Sequence, residues 1–348
     1  MTIEETKPLV SICIPVYGVE KFIEKCARSL FEQTYSNIEY IFVNDCTKDN
    51  SIAVLRQVME DYPLLKDRIH IVEHSQNKGL AGARNTAIEY AHGEFVMWVD
   101  SDDYIDVKTI TLLVEKQIEK DADIVISDAY RCYPSFREYV SLKPEFNNKH
   151  YLHKVLRDET EHWLAGKLLR RKLYTEHNIR AREGANMGED FQVYPQLVFY
   201  ANKIDYVEEP LYYYMFHNTN SYGHTVSEDI QSQRWLSYEV LENFFANSEY
   251  ADDLNYQKLQ IVYFQFKTYL MNEGLSIDHY RMLWKRLNQV PDKIYASYPL
   301  FKRVLLHVLK SARSQNKLGC CNKHVLRSYV FIINAANNSI RYIKSHFR

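Results

Sequence analysis

Three carboxylates, Asp100, Asp102 and Asp103, fall within four residues of one another directly after the apolar run 95–99. Carboxylates this close repel one another unless a cation or hydrogen-bond donors compensate, so the spacing points to a divalent ion that also carries phosphate oxygens. A plainer role stands beside it: Asp103 or Asp106 as the cap of a following helix, with Asp100 and Asp102 in a solvated turn. Polar residues recur after other apolar runs. Pro15, Val16 and Tyr17 follow one, Asn44 and Asp45 another, and Asn77 precedes Arg84 and Asn85 in a segment of small residues. Tyr17 can stack on a planar base, and Asp45 can accept from a base N–H or a ribose hydroxyl. Arg84 can reach phosphate where Gly79, Gly82 and the alanines let the backbone approach. The structural alternatives are rim packing for Tyr17, a turn for Asp45 and a pair with Glu89 or another carboxylate for Arg84.

Such residues act together only if the fold brings their loops to one edge. Apolar runs at 10–14, 38–43, 69–72, 95–99 and 124–127 predict strands, and periodicity predicts helices over 19–33, 51–61, 80–91 and 107–120 between them. That alternation implies an α/β fold with a mostly parallel sheet, whose ligands bind at the carboxyl ends of the strands. Beyond it the pattern predicts an aperiodic excursion over 130–160, helices over 163–177 and 190–201 and a strand at 203–207. A Tyr-rich ordered loop over the site is predicted at 211–221, and helices from about 229 onward. No Gly-x-Gly-x-x-Gly and no Gly-x-x-x-x-Gly-Lys-Ser/Thr follows the first strand, which argues against a dinucleotide dehydrogenase and a P-loop NTPase.

With 348 residues, 46% of them hydrophobic and 25% charged, the chain has room for one large or two modest domains. The net charge of −2 conceals an asymmetry: from Lys293 onward there are 11 Lys/Arg and no acid, so residues 1–292 carry −13. The basic segment 293–348, with apolar stripes at 300–309 and 326–347, suits an anionic membrane surface or packs on the acidic remainder. Nucleic acid is not an expected partner, because no recognition motif accompanies the charge. Six cysteines without CxxC or zinc spacing fit reduced thiols. The absence of a basic-then-apolar start and of an 18-residue apolar run predicts no signal peptide and no span. The expectation is a cytoplasmic protein, peripheral on the inner membrane face where the tail binds lipid.

Four segments in order, 10–17 (VSICIPVY), 43–51 (VNDCTKDNS), 77–85 (NKGLAGARN) and 100–103 (DSDD), resemble the inverting family 2 glycosyltransferases of the GT-A fold, especially bacterial enzymes that build surface polysaccharides. The likeness covers about residues 8–222. It implies a GT-A fold with a helical C-terminal extension, a nucleotide-sugar donor, UDP-linked above others, and a glycan or lipid-linked glycan acceptor. It also implies Mn2+ or Mg2+ as cofactor. By this resemblance Tyr17 and Asp45 contact the base, Arg84 the phosphate side and Asp100 the ribose. Pro15, Val16, Asn77 and Ser101 complete the donor site, and Asp102 binds the ion.

Glu189-Asp190 resembles the family's Glu-Asp motif, which makes Asp190 the general base; an N-cap for the helix after it is the alternative. Trp163-Leu-Ala-Gly-Lys167 resembles a Trp-x-x-Lys segment near the acceptor, with one residue more before Lys167. Tyr212 to Ser221 resembles a Tyr-Arg…Ser loop that closes over the diphosphate. Met215 and Phe216 stand where Arg is common, so His217 or Ser221 is left to make that contact. The implied organisation is a catalytic domain over 1–228, with its donor part at 8–128 and its acceptor part at 129–228, and an extension over 229–348. Two rival classes are a nucleotidyltransferase, which releases pyrophosphate, and a catalytically silent glycan-binding protein.

Overall fold

The computed structural model describes residues 7–216, 227–271 and 277–311. Runs rich in β-branched and aromatic residues make β1 (Val10–Val16) and β2 (Ile38–Asn44), both buried throughout, as strands covered on both faces must be. They pair in parallel with each other, with β3 (Ile69–Glu73) on β2 and with β4 (Phe95–Trp98) on β1. Helices α1 (Ile23–Phe31), α2 (Ser51–Glu60) and α3 (Gly79–Tyr90) lie between these strands in sequence.

The chain continues through β5 (Tyr104–Ile105), α4 (Thr109–Lys120), β6 (Ile124–Cys132), β7 (Arg137–Val140) and α5 (Asn148–Leu156). It then forms β8 (Leu168–Arg170), α6 (Lys172–Glu176), α7 (Glu189–Tyr200) and β9 (Ile204–Met215). The sheet order is β3-β2-β1-β4-β8-β6-β9-β5, with β7 on β6. Its β3 to β4 half is wholly parallel; β8 runs antiparallel to both β4 and β6, and β6 and β9 are again parallel.

Three sequence expectations change. The helix over 163–177 is instead a loop, the strand β8 and the short α6, because Gly166 takes φ +75° and the apolar Leu168-Leu169 fills the slot between β4 and β6. Leu211 to Met215 belongs to β9 and not to a loop, since a run of tyrosines suits a pleated, half-buried strand. The stretch 130–160 holds β7 and α5, where a hairpin partner and not local period decides the structure.

Two compact units result, Met1–Val155 with Thr160–Ser221, and Leu156–Glu159 with Tyr222–Arg348. The second contains α8 (Glu228–Phe244), α9 (Ala251–Met271), α10 (Ile277–Leu287), α11 (Asp292–Ser297) and α12 (Leu300–Ser311), with α9 packed against the other four. On α12, Leu305 and Leu306 are buried while Leu300 and Val304 are exposed, so the first apolar stripe of the basic tail is only partly covered. The second stripe, 326–347, lies outside the described residues. Among the described residues no helix is long and apolar enough to cross a membrane.

Candidate functional site

The register Val16↔Asn44 sets the first two loops side by side, and the Asp45 N–H donates to the Val16 carbonyl at 3.1 Å. Pro15 and Val16 are buried, whereas Tyr17 is 51% exposed on the rim. Asp45 is buried and heavily engaged. Its Oδ1 accepts from Lys78 N at 2.7 Å and its Oδ2 from Gly79 N at 2.8 Å, while His74 Nδ1 lies 2.8 Å from Oδ1. Asn77 joins them, donating to the Asp45 carbonyl at 3.1 Å and accepting from Gly79 N at 3.1 Å. A carboxylate from another strand thus meets the first free N–H groups of α3, where an N-terminus favours negative charge. Of the residues expected around a base, Tyr17 faces outward and Asp45 organises the loop beneath it.

At the end of β4 the acidic turn is pinned by β9. Tyr212 OH donates to Asp103 Oδ2 at 2.6 Å and accepts from Asp100 N at 3.2 Å, and Met215 N donates to Asp103 Oδ1 at 2.7 Å. Burial, then Asp102 and Asp100, push the Asp103 carboxyl well above the usual range, with the two donors opposing. Ser101 is buried and Asp102 half-buried, and the Asp100 side chain is 28% exposed. Burial also raises Asp100, against the pull of Arg84 and with repulsion from Asp190 and Asp102.

Among the described residues no group of three or more His, Cys, Asp or Glu is arranged to hold a metal ion. The residues nevertheless fit an ion shared with substrate. Asp102 and Asp100 repel each other at a partly open edge, and a hard cation bound by one or two carboxylates plus phosphate oxygens relieves that repulsion.

Arg84 joins this turn to a distant part of the chain. Its Nη2 lies 3.1 Å from Asp100 Oδ1, 3.3 Å from Glu189 Oε1 and 3.2 Å from Asp190 Oδ1, with the guanidinium 5.1 Å from the Trp98 ring centroid. The residue is only 3% exposed. Its Nε and Nη1 have no hydrogen-bond partner among the described residues, and a cavity of about 10 Å³ lined by Arg84, Trp98, Leu164, Tyr174 and Val193 has room for about one water there. Arg84, expected at phosphate, is therefore placed among carboxylates.

Helix α7 begins at Glu189 after Gly188 at φ +84°, so Asp190 stands in the first turn and does not cap it. Asp190 Oδ1 is ion-paired with Arg84 and has no hydrogen-bond partner among the described residues. The segment before α7 is tied to α3: Asn85 exchanges two bonds with Ala181, and Asn186 Oδ1 accepts from Ala81 N at 3.1 Å.

Lys167 is buried and donates to the Trp163 carbonyl, and burial lowers its ammonium to about 7 against the opposing pull of Asp190 and Glu161. Between these two residues Gly166 donates to the Trp98 carbonyl at 3.1 Å, and a Cβ there would stand 2.9 Å from the Tyr212 ring. Trp163 packs on Tyr214 with centroids 5.4 Å apart. His217 and Ser221 lie outside the described residues. The sequence brought out Tyr212 as the start of a loop over the diphosphate and not as the anchor of the acidic turn, and it offered no sign of His74 or Asn186, neither of which carries a periodic or motif mark.

Burial, chiefly, and repulsion from Asp190 raise Glu189 from 4.5 to about 8, with Arg84 opposing and Asp100 adding. The folded state thus keeps a proton that the unfolded chain releases. The stability this contributes is fully present below pH 4.5 and is lost as pH rises through about 8. Glu189→Gln removes the titration, so its Tm is expected to rise relative to the parent between pH 5 and 8.5 by about 3 °C or more. Thermal unfolding followed by circular dichroism reads this difference, and parallel Tm curves for the two proteins would exclude a retained proton.

Residues 11–177 match the family described as Glycosyl transferase family 2. An uncharacterised glycosyltransferase, EpsJ of Bacillus subtilis (strain 168), is 31% identical over 312 residues, 86% of this chain and 87% of its own. The structure of S. aureus TarS 1-349 in complex with UDP superposes with TM-score 0.65 at 20% identity, covering 86% of each chain. A mannosyltransferase from Pyrobaculum calidifontis, PcManGT, solved with GDP-Man and Mn2+, gives TM-score 0.53 at 15% identity over 96% of this chain and 87% of that one. These structural likenesses establish the GT-A architecture, a mixed sheet flanked by helices with a helical C-terminal region.

Proposed function

We propose, from the premise that the chain belongs to glycosyl transferase family 2, that it moves a sugar from a UDP-linked donor to a hydroxyl of a saccharide acceptor, with inversion at the anomeric carbon. The observation that carries this reading is the meeting of Asp100, from the end of β4, with Glu189 and Asp190, from the start of α7, on one Arg84 nitrogen. It sets a partly exposed carboxylate beside a candidate base whose Oδ1 has no hydrogen-bond partner among the described residues. The UDP held by TarS supports the donor, and the Mn2+ of PcManGT supports a cation.

In this reading Tyr17 stacks on the base, Asp45 and Asn77 hold the loop that receives it, and Asp100 and Ser101 take the ribose. Asp102, with the donor's phosphates, would hold Mn2+ or Mg2+, which neutralises charge on the departing diphosphate. Asp190 accepts the acceptor hydroxyl's proton as that oxygen attacks the anomeric carbon, and Arg84, 3.2 Å away, orients it. Trp163 and Lys167 shape the acceptor side. Residues 8–128 are the donor part and 129–228 the acceptor part, and the 11 Lys/Arg from Lys293 onward support a lipid-linked glycan at an anionic surface.

Incubation with UDP-, GDP- and dTDP-sugars, with and without Mn2+, tests the reading. Release of UDP from a UDP-sugar, stimulated at least about tenfold by Mn2+, is expected. Pyrophosphate formed from UTP and a sugar phosphate would mark a nucleotidyltransferase instead, and saccharide binding without any turnover would mark a silent binder.

A further inference from the structure

On the face of β9 that holds the acidic turn, alternation places Tyr212, Tyr214 and Phe216 on one side, and the register Arg131↔Tyr214 continues that face onto β6. From Tyr214, two residues on from the Tyr212 that bonds Asp103, aromatic rings follow outward in contact. Tyr214 lies 5.4 Å from Trp163 and 6.0 Å from Phe216, Phe216 lies 4.9 Å from Tyr133, and Tyr133 stacks on Phe136 at 4.5 Å. The outer members reach solvent, with Phe216 37% and Phe136 49% exposed.

Polar groups border the rings. Arg131 stands 5.6 Å over Trp163 and pairs with Glu161 and Glu138, and Tyr133 OH donates to Glu138 at 3.3 Å. The Trp163 indole N–H is buried with no hydrogen-bond partner among the described residues, a cost that native folds seldom accept without a use.

We propose that this strip, Trp163, Tyr214, Phe216, Tyr133 and Phe136, is a binding track for successive sugar rings of an acceptor chain. Resting on the transferase reading above, it gives that acceptor a class: an oligosaccharide of several rings. A pyranose presents a flat C–H face within a rim of hydroxyls, and the electron-rich face of an aromatic ring attracts the first while flanking carboxylates, guanidinium and phenols bond the second. Alternate residues of a strand stand about 6.6 Å apart, so Tyr212 and Tyr214 of β9 with Phe216 just past its end span more than one sugar. Continuity decides the occupant: the strip starts at Tyr214, which lies in sequence between Tyr212 and Met215, whose hydroxyl and N–H together hold Asp103 of the acidic turn, and runs outward, as a growing chain must.

The protein with saturating UDP and Mn2+ is applied to an array of linear oligosaccharides of two to six hexose and N-acetylhexosamine rings. Binding that strengthens with length is expected, weakened about tenfold or more in Phe136→Ala and Phe216→Ala and regained in Phe136→Trp. Tyr139→Ala removes an equally exposed ring, 49%, whose contact with Tyr130 puts it on the opposite sheet face, and is expected to bind as the parent does. A parent that binds none of the saccharides, or alanine variants that bind them as tightly, overturns the proposal. UDP release from donor alone, measured on the same samples, is expected to be unchanged in Phe136→Ala; its absence in the parent counts against the transferase reading and not against the track.

Discussion

Asp190→Asn is expected to lower sugar transfer by about three orders of magnitude while leaving the Kd for UDP within about twofold of the parent value. The size follows from the role, since a positioned general base contributes roughly 10²–10⁴ in rate, about 3–5 kcal/mol of barrier. Asn has the shape of Asp but cannot take the proton. The alternative for Asp190, a helix cap, predicts a different pattern of loss. Removing a cap costs about 1 kcal/mol of stability and spares chemistry, but here Gly188 occupies the cap position and Asp190 faces Arg84. A charge partner of the buried Arg84 is lost with the Asp190 carboxylate while Asp100 still faces the guanidinium, so Tm is expected to fall by a few degrees, far too little to account for the loss of transfer. Steady-state transfer, UDP titration calorimetry and thermal unfolding on one preparation separate the two. A variant that transfers sugar at the parent rate would show that the base lies elsewhere.

How much of this was legible before the structure differs along the chain. The parallel half was readable, because strands buried on both faces must be continuous apolar runs and the helices between them must carry a stripe; β1, β2 and α1 follow that logic. Beyond β6 it fails. β8 is three residues long and exists because β4 and β6 offer it unpaired backbone, a fact absent from its own sequence. The tyrosines of β9 read as a loop because alternation of ring with ring gives no polar face to count. In the site, motifs brought out Asp100, Arg84, Glu189 and Asp190, but not that the three carboxyl groups share one Arg84 nitrogen, since nothing local to Arg84 records which carboxylates surround it. Asp45 shows the same limit. A motif marks it as important, while its bonds to Lys78, Gly79 and His74 come from α3 and the loop before it.

Asp102→Asn is expected to abolish Mn2+-stimulated release of UDP from donor, a fall of about 10³, and the neighbouring Asp103→Asn to act through stability instead. The two carboxylates are adjacent in sequence yet differ in what they hold. Asp103 is buried with one oxygen on Tyr212 OH and the other on Met215 N, so its loss unpins the turn from β9. Unsatisfying a buried group of this kind costs about 1–3 kcal/mol, a shift of a few degrees in Tm. Asp102 is half-buried in the same turn, where its charge raises both Asp100 and Asp103. Removing that charge relieves repulsion in the metal-free protein, so Asp102→Asn is expected to be at least as stable as the parent without Mn2+. Adding Mn2+ and UDP together is expected to raise the Tm of the parent and not of this variant, because a ligand stabilises only the state that binds it. Loss of activity with gain of metal-free stability is the signature of a carboxylate kept for an ion. If Asp102→Asn were less stable than the parent without metal, or kept its Mn2+ stimulation, the ion would have to be assigned to Asp100.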